Sequence, residues 1–149
     1  MRIAIGSDHA GFELKQAIGA WLREMGHDVL DLGTDSSASV DYPHFGAAVG
    51  HAVADGQATY GVTVCGSGQG IAMAANKVPG VRAGVIRDVQ DAEMTRRHNN
   101  ANVASFGERI TDPETAIEAL AVFLSTDFEG GRHERRVEQL AALDAGNDV

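Results

Sequence analysis

The sequence predicts an α/β fold, a doubly wound three-layer αβα sandwich on a five-stranded parallel sheet, Rossmann-like in outline. Two observations carry this: strand and helix patterns alternate from end to end, and glycines collect at the junctions between them. At 149 residues, 44% of them hydrophobic, the chain has the length of one domain, 1–149, and apolar material for its own core. Intrinsic disorder is excluded on that ground.

Arg2 to Gly6 reads as a short buried strand ending at Ser7-Asp8-His9. Phe12, Leu14, Ile18, Trp21, Leu22 and Met25 then follow helical spacing, and Gly26 is a natural stop. Asp28 to Leu32 is a second strand, Thr34 to Pro43 a polar loop, and Phe45, Val49, Ala52 and Val53 mark a helix closing at Gly56. Tyr60 to Cys65, with β-branched Val62, Thr63 and Val64, is the third strand. It runs into Gly66-Ser67-Gly68-Gln69-Gly70 and a short helix, Ile71 to Asn76. Pro79-Gly80 turns the chain into a fourth strand, Arg82 to Arg87, and a helix over about Asp88 to His98 precedes a fifth, Asn102 to Phe106. Asp112-Pro113-Glu114 starts a helix with proline in its first turn and acids at the positive dipole end. Glu129-Gly130-Gly131 breaks it, and a last helix carries Arg132 to Leu143. The expected strand order is 2-1-3-4-5, with the topological switch point between strands 1 and 3. Ligands in such sheets sit beyond the carboxyl ends of the strands at that point. Here those ends are Ser7-Asp8-His9 and Cys65-Gly66-Ser67-Gly68.

Charge narrows the partners. Twelve Lys and Arg against 21 Asp and Glu leave a net charge of −9, which argues against nucleic acid or a membrane surface. The longest apolar run, Ala119 to Leu124, is far short of the ~20 residues that span a bilayer. The opening MRIAIGSDHAG is unlike a secretory signal. One cysteine excludes an internal disulfide framework and suits a reducing cytoplasm. Histidines at 9, 27, 44, 51, 98 and 133 show no metal-ligand spacing, so no metal is expected.

Cys65 to Gly70 is the most chemical stretch. Alternate glycines allow close approach of backbone to ligand and aim several N–H groups at one anionic oxygen. The helix that follows puts its positive dipole end near Cys65, which favours thiolate. A base beside an oxyanion nest is a catalytic arrangement. An isolated cysteine in a strand is more often a small buried hydrophobe; the glycine loop tips the balance. A dinucleotide site fits less well. The loop is G-x-G-x-G rather than G-x-G-x-x-G and follows the third strand, although Asp88 could mimic the ribose-binding acid. Asp8 has a plain alternative role as a helix cap. Arg96-Arg97-His98-Asn99-Asn100, taken alone, reads as a solvated helix end. Arg132 and Arg136, four apart, share a helix face and can converge on a phosphate, although such a run is commonly just solvated.

Together the stretches IAIGSDHAGFELK, TDSSASVDYPHF, CGSGQGIAMAANK, RRHNNANVASFGER and EGGRHERRVEQL resemble the type B ribose-5-phosphate isomerases, with the related galactose-6-phosphate isomerase subunits, over Arg2 to about Leu143. The resemblance implies a cofactor-free and metal-free aldose–ketose isomerase of the pentose phosphate pathway. It also implies a cytoplasmic homodimer, extendable to a dimer of dimers, with active sites at the subunit interface and a phosphorylated sugar as substrate. By the same resemblance Cys65 is the base that moves a proton between C2 and C1. Ser67 keeps the hydroxyl where the family often has threonine, and the N–H groups around Gly66, Gly68 and Gly70 hold the enediolate oxygen. His98 assists ring opening, with Asn99 beside it on the substrate, and Asp8 is its sugar-hydroxyl partner. His9 contacts phosphate, Tyr42 matches a DYP loop, Arg132 and Arg136 clamp the phosphate, and Arg109 assists them. One branch of the family replaces the cysteine with serine and uses a carboxylate after the glycine loop. Cys65 and Ile71 put this chain with the cysteine branch. Relatives act on four- and six-carbon sugar phosphates, so the size of the sugar stays open. A thiol-dependent hydrolase and a non-catalytic nucleotide-binding module are the alternatives from other classes.

Overall fold

The computed structural model describes residues 1–149. Five strands, β1 (Arg2–Ser7), β2 (Asp28–Asp31), β3 (Tyr60–Cys65), β4 (Ala83–Val85) and β5 (Val103–Gly107), form one wholly parallel sheet. Between and after them run α1 (Phe12–Glu24), α2 (Tyr42–Ala54), α3 (Gln69–Asn76), α4 (Val89–Asn99), α5 (Pro113–Ser125) and α6 (Glu134–Asp144), with 3-10 turns at His9–Gly11 and Gly131–His133. Parallel strands need such crossovers, and the helices cover both faces of the sheet. On one face Leu14, Ile18 and Leu22 of α1, Ala92 of α4 and Ala116, Leu120 and Phe123 of α5 pack on Ile3, Ile5, Val62, Val64 and Phe106. On the other, Val49 and Ala52 of α2 and Ala75 of α3 pack on Ala4 and Val103.

Helix ends follow their capping residues. Asp112 accepts the Thr115 N–H at 2.9 Å ahead of Pro113, and Asp88 accepts the Asp91 N–H at 2.8 Å. Asp88 is thus the cap of α4. Asn100 closes that helix in the left-handed region, φ 48°.

The strand order is β2-β1-β3-β5-β4, which corrects the expected 2-1-3-4-5. The physical reason lies in burial. All five residues of β5 are buried, which suits a central strand, whereas the three residues of β4 are only half-buried. The placement also sets Gly107 directly beside Cys65 in the register. The switch point between β1 and β3 is as expected, and Ser7 pairs with Val64 there. No helix is long and apolar enough to cross a membrane.

Candidate active site

Cys65 ends β3, buried, and the chain turns at Gly68 with φ +78°. A Cβ at Gly68 would lie 2.8 Å from the Phe106 carbonyl carbon, so only glycine closes this turn over β5. The turn aims the Gly68 N–H at Cys65 Sγ, 3.1 Å away. The buried Ser105 hydroxyl donates to the Gly68 carbonyl at 2.7 Å and fixes the peptide from below. Gln69 N–H donates to Ser67 Oγ at 3.2 Å, so the serine hydroxyl stands at the start of α3.

Asp8 faces this loop across the switch point. Its Oδ1 accepts the Gly11 N–H at 3.0 Å, so it is a cap, and the same buried side chain lines the cleft. Nδ1 of His9 lies 3.1 Å from the carbonyl oxygen and 3.2 Å from the amide nitrogen of Val40, which ties the ring to the polar loop. Asp8, His9, Tyr42, Cys65, Ser67 and Arg109, with Gly66 and Gly70, line a cleft of about 350 Å³. Tyr42 closes tightly over the loop: a Cβ on Gly70 would sit 2.6 Å from its Cζ. Glu108 Oε1 accepts the Leu14 N–H at 2.6 Å, joining the Arg109 loop to the start of α1. Sequence reasoning missed Glu108 and Ser105. Both lie in the stretch RRHNNANVASFGER, Ser105 within the expected fifth strand and Glu108 beside Arg109, and that stretch was their signal.

The other expected residues gather elsewhere. His98, at the end of α4, stacks on His133 with ring centroids 4.3 Å apart and planes 15° from parallel. Arg132 Nε donates to His133 Nε2 at 3.4 Å, and Arg136 Nη1 donates to the Arg132 carbonyl at 3.3 Å. Burial pushes the His133 imidazole below its ordinary pKa, and the neighbouring His98 and Arg132 push the same way. None of His98, Arg132 and Arg136 lines the Cys65 cleft. Asn99 lines a separate, larger cavity of about 450 Å³ with Arg82 and Leu140, which contains no residue of the Cys65 loop. The structure also brings ligand atoms of His98, Glu129 and His133 within 4.8 Å of one another, a proximity that sequence spacing did not reveal. The near-parallel rings do not aim their lone pairs at one point, and Arg132 and Arg136 oppose a cation there.

A thiol beneath a backbone N–H, at the switch point of a parallel α/β sheet, defines a class of site suited to moving a proton next to a developing oxyanion. The chain belongs to the ribose/galactose isomerase family, whose model matches residues 3–140. It is 45% identical over 143 residues to ribose-5-phosphate isomerase B of Escherichia coli, covering 96% of each chain. It is 37% identical to D-erythrulose-4-phosphate isomerase of Pectobacterium atrosepticum, covering 94% of this chain and 93% of that one. The solved structure of ribose-5-phosphate isomerase B from Clostridium thermocellum superposes with a TM-score of 0.96 at 43% identity, covering 98% and 99% of the two chains.

Proposed function

We propose that this chain, as a single domain over 1–149, interconverts ribose 5-phosphate and ribulose 5-phosphate through a cis-enediolate, with Cys65 as base and neither metal nor cofactor. The observation that carries this reading is the Gly68 N–H on Cys65 Sγ, in a member of a sugar isomerase family. Removing the proton alpha to a carbonyl needs a base in reach and donors for the oxyanion that forms. Cys65 takes the C2 proton and returns it to C1. N–H groups of the Gly66–Gly70 loop other than those of Gly68, which serves the sulfur, and Gln69, which serves Ser67, hold the enediolate oxygen, with the Ser67 hydroxyl beside them. Asp8 holds a sugar hydroxyl, and His9, Tyr42 and Arg109 hold the remainder of the substrate within the cleft. The reaction belongs in the pentose phosphate pathway of the cytoplasm.

His98, Asn99, Arg132 and Arg136 reach the substrate from a second copy of the chain. Two observations support this: they lie outside the cleft of their own chain, and α6 buries none of its residues, leaving Leu140 and Leu143 exposed. Mixing inactive Cys65→Ala with Arg136→Ala protein, assayed at a substrate concentration far below the raised KM of the second, tests it. Random exchange makes half the dimers mixed, each with one intact site of two, so about a quarter of the activity returns. Failure to recover any activity after exchange would place the whole site in one chain.

A second reading, a four- or six-carbon sugar phosphate as substrate, is favoured by the name of the Pectobacterium relative and by a galactose-6-phosphate isomerase subunit of Clostridium acetobutylicum at 39% identity. A coupled assay across four-, five- and six-carbon aldose phosphates decides between them by kcat/KM. The five-carbon substrate is expected to lead; a higher value for another would replace it, and no turnover of any would return the hydrolase and nucleotide-module readings.

A further inference from the structure

His133 is given no role in the reaction above, yet it is buried between two residues that have one. One face of its ring stacks on His98 at 4.3 Å. Its edge meets Arg132, whose Nε lies 3.4 Å from His133 Nε2. Arginine only donates, so Nε2 must be the unprotonated nitrogen, and the ring is neutral with its proton on Nδ1. The surroundings agree. Glu129 Oε1 is 3.9 Å from Nε2, too far to accept a proton from it, and its other oxygen is engaged by Arg97 at 3.0 Å. The groups that face His133 are His98 from α4, Arg132 beside it, Arg136 from α6 and Glu129 from the preceding loop, a predominantly cationic set. The His133 N–H bonds the Gly130 carbonyl at 3.1 Å, which holds its backbone in the 3-10 turn.

We infer that His133 is a positioning residue: a neutral imidazole that fixes the plane of the His98 ring with its face and the direction of the Arg132 guanidinium with Nε2. This rests on the reading that His98 opens the sugar ring and Arg132 binds its phosphate. Two functions thus meet on one side chain through two different contacts, and each contact can be removed separately. Phenylalanine keeps the stacking face and loses the acceptor. Asparagine keeps an acceptor and loses the aromatic face.

The test compares His133→Phe and His133→Asn with wild type on ribose 5-phosphate, alongside 15N NMR of the imidazoles in the wild-type protein. His133→Phe is expected to raise KM about tenfold with kcat nearly kept. His133→Asn is expected to lower kcat about tenfold or more with a smaller change in KM, since misplacing a catalytic group by about 1 Å can cost about a hundredfold. In the NMR spectrum His133 should show a protonated Nδ1 and a bare Nε2 at neutral pH. Equal losses of kcat and KM in both variants would leave His133 only a packing role and overturn the inference. A protonated Nε2 would overturn it whatever the kinetics. If wild type turned over no sugar phosphate, the functional reading itself would fall, while the NMR result would still decide the contact between His133 and Arg132.

Discussion

The two groups of candidate site residues are built in opposite ways. Around Cys65 the machinery is mostly backbone: a left-handed glycine in the loop after β3 and an N–H on sulfur, braced by the buried Ser105 hydroxyl from the middle of β5. Around His98 it is side chain on side chain, at the end of one helix and the start of another that buries nothing. The first arrangement is pre-organised by the fold and has little freedom to reorganise during proton transfer. The second is held by stacking and arginine contacts at the edge of the molecule. Under the proposed reading, the step that breaks a C–H bond sits beside buried strands of the sheet, and recognition of the ring and phosphate sits where another surface can complete it.

The sharpest way to break this contrast is at the sulfur. Cys65→Ala should lower kcat by about 10²–10⁴, the range of a general base, in the coupled assay; near-normal turnover would remove the thiol from the mechanism. Exchange of the C1 hydrogen of ribulose 5-phosphate with solvent deuterium separates the two regions directly. This ketose is open-chain, so exchange should survive in His98→Asn and vanish in Cys65→Ala. Loss in both would bring the imidazole into the enediolate step. Arg136→Ala should act mainly on binding, weakening it by about 1.5–3 kcal/mol, the worth of a charge-assisted hydrogen bond. A steady-state KM unchanged from wild type would take Arg136 off the phosphate.

A smaller effect concerns acid stability. His133 is held below its ordinary pKa chiefly by burial, then by His98 and Arg132. The unfolded chain therefore takes up this proton at about pH 6.5, before the folded one does. The neutral ring's contribution is whole above that value and is lost as the pH falls through the lower folded value. Melting temperatures between about pH 7.5 and about pH 5.5 should fall less in His133→Phe than in wild type; equal slopes would mean that the ring titrates normally. The smallest expected effect is none: EDTA should leave turnover unchanged. Activity lost on chelation and restored by a divalent ion would assign the His98, Glu129 and His133 trio a metal.

The contrast also explains what could be read from the amino acids alone. The Cys65 loop and Asp8 were legible because their geometry is local, with each contact made within a few residues or at a strand end that the topology locates. Strand order was not, because alternation says which elements exist and not which are neighbours. Arg96 shows the same limit. Read in its charged run it belonged to a solvated helix end; in the fold it is buried, 5.0 Å over the Tyr60 ring, donating to the Thr126 and Ala101 carbonyls. Lys15, in an otherwise well-predicted helix, is buried against Asp31 at 2.7 Å. The stacking of His98 on His133 joins two elements distant in sequence, and no periodicity foretells it.

The unburied helix α6 has a consequence for the protein as a reagent. Under the two-copy reading, every active site is a product of association, and association obeys mass action. Specific activity then depends on the protein's own concentration. Diluted below the dissociation constant of the pair, each chain keeps its sheet, its thiol and its glycine loop, and loses the imidazole and arginines that a second copy supplies.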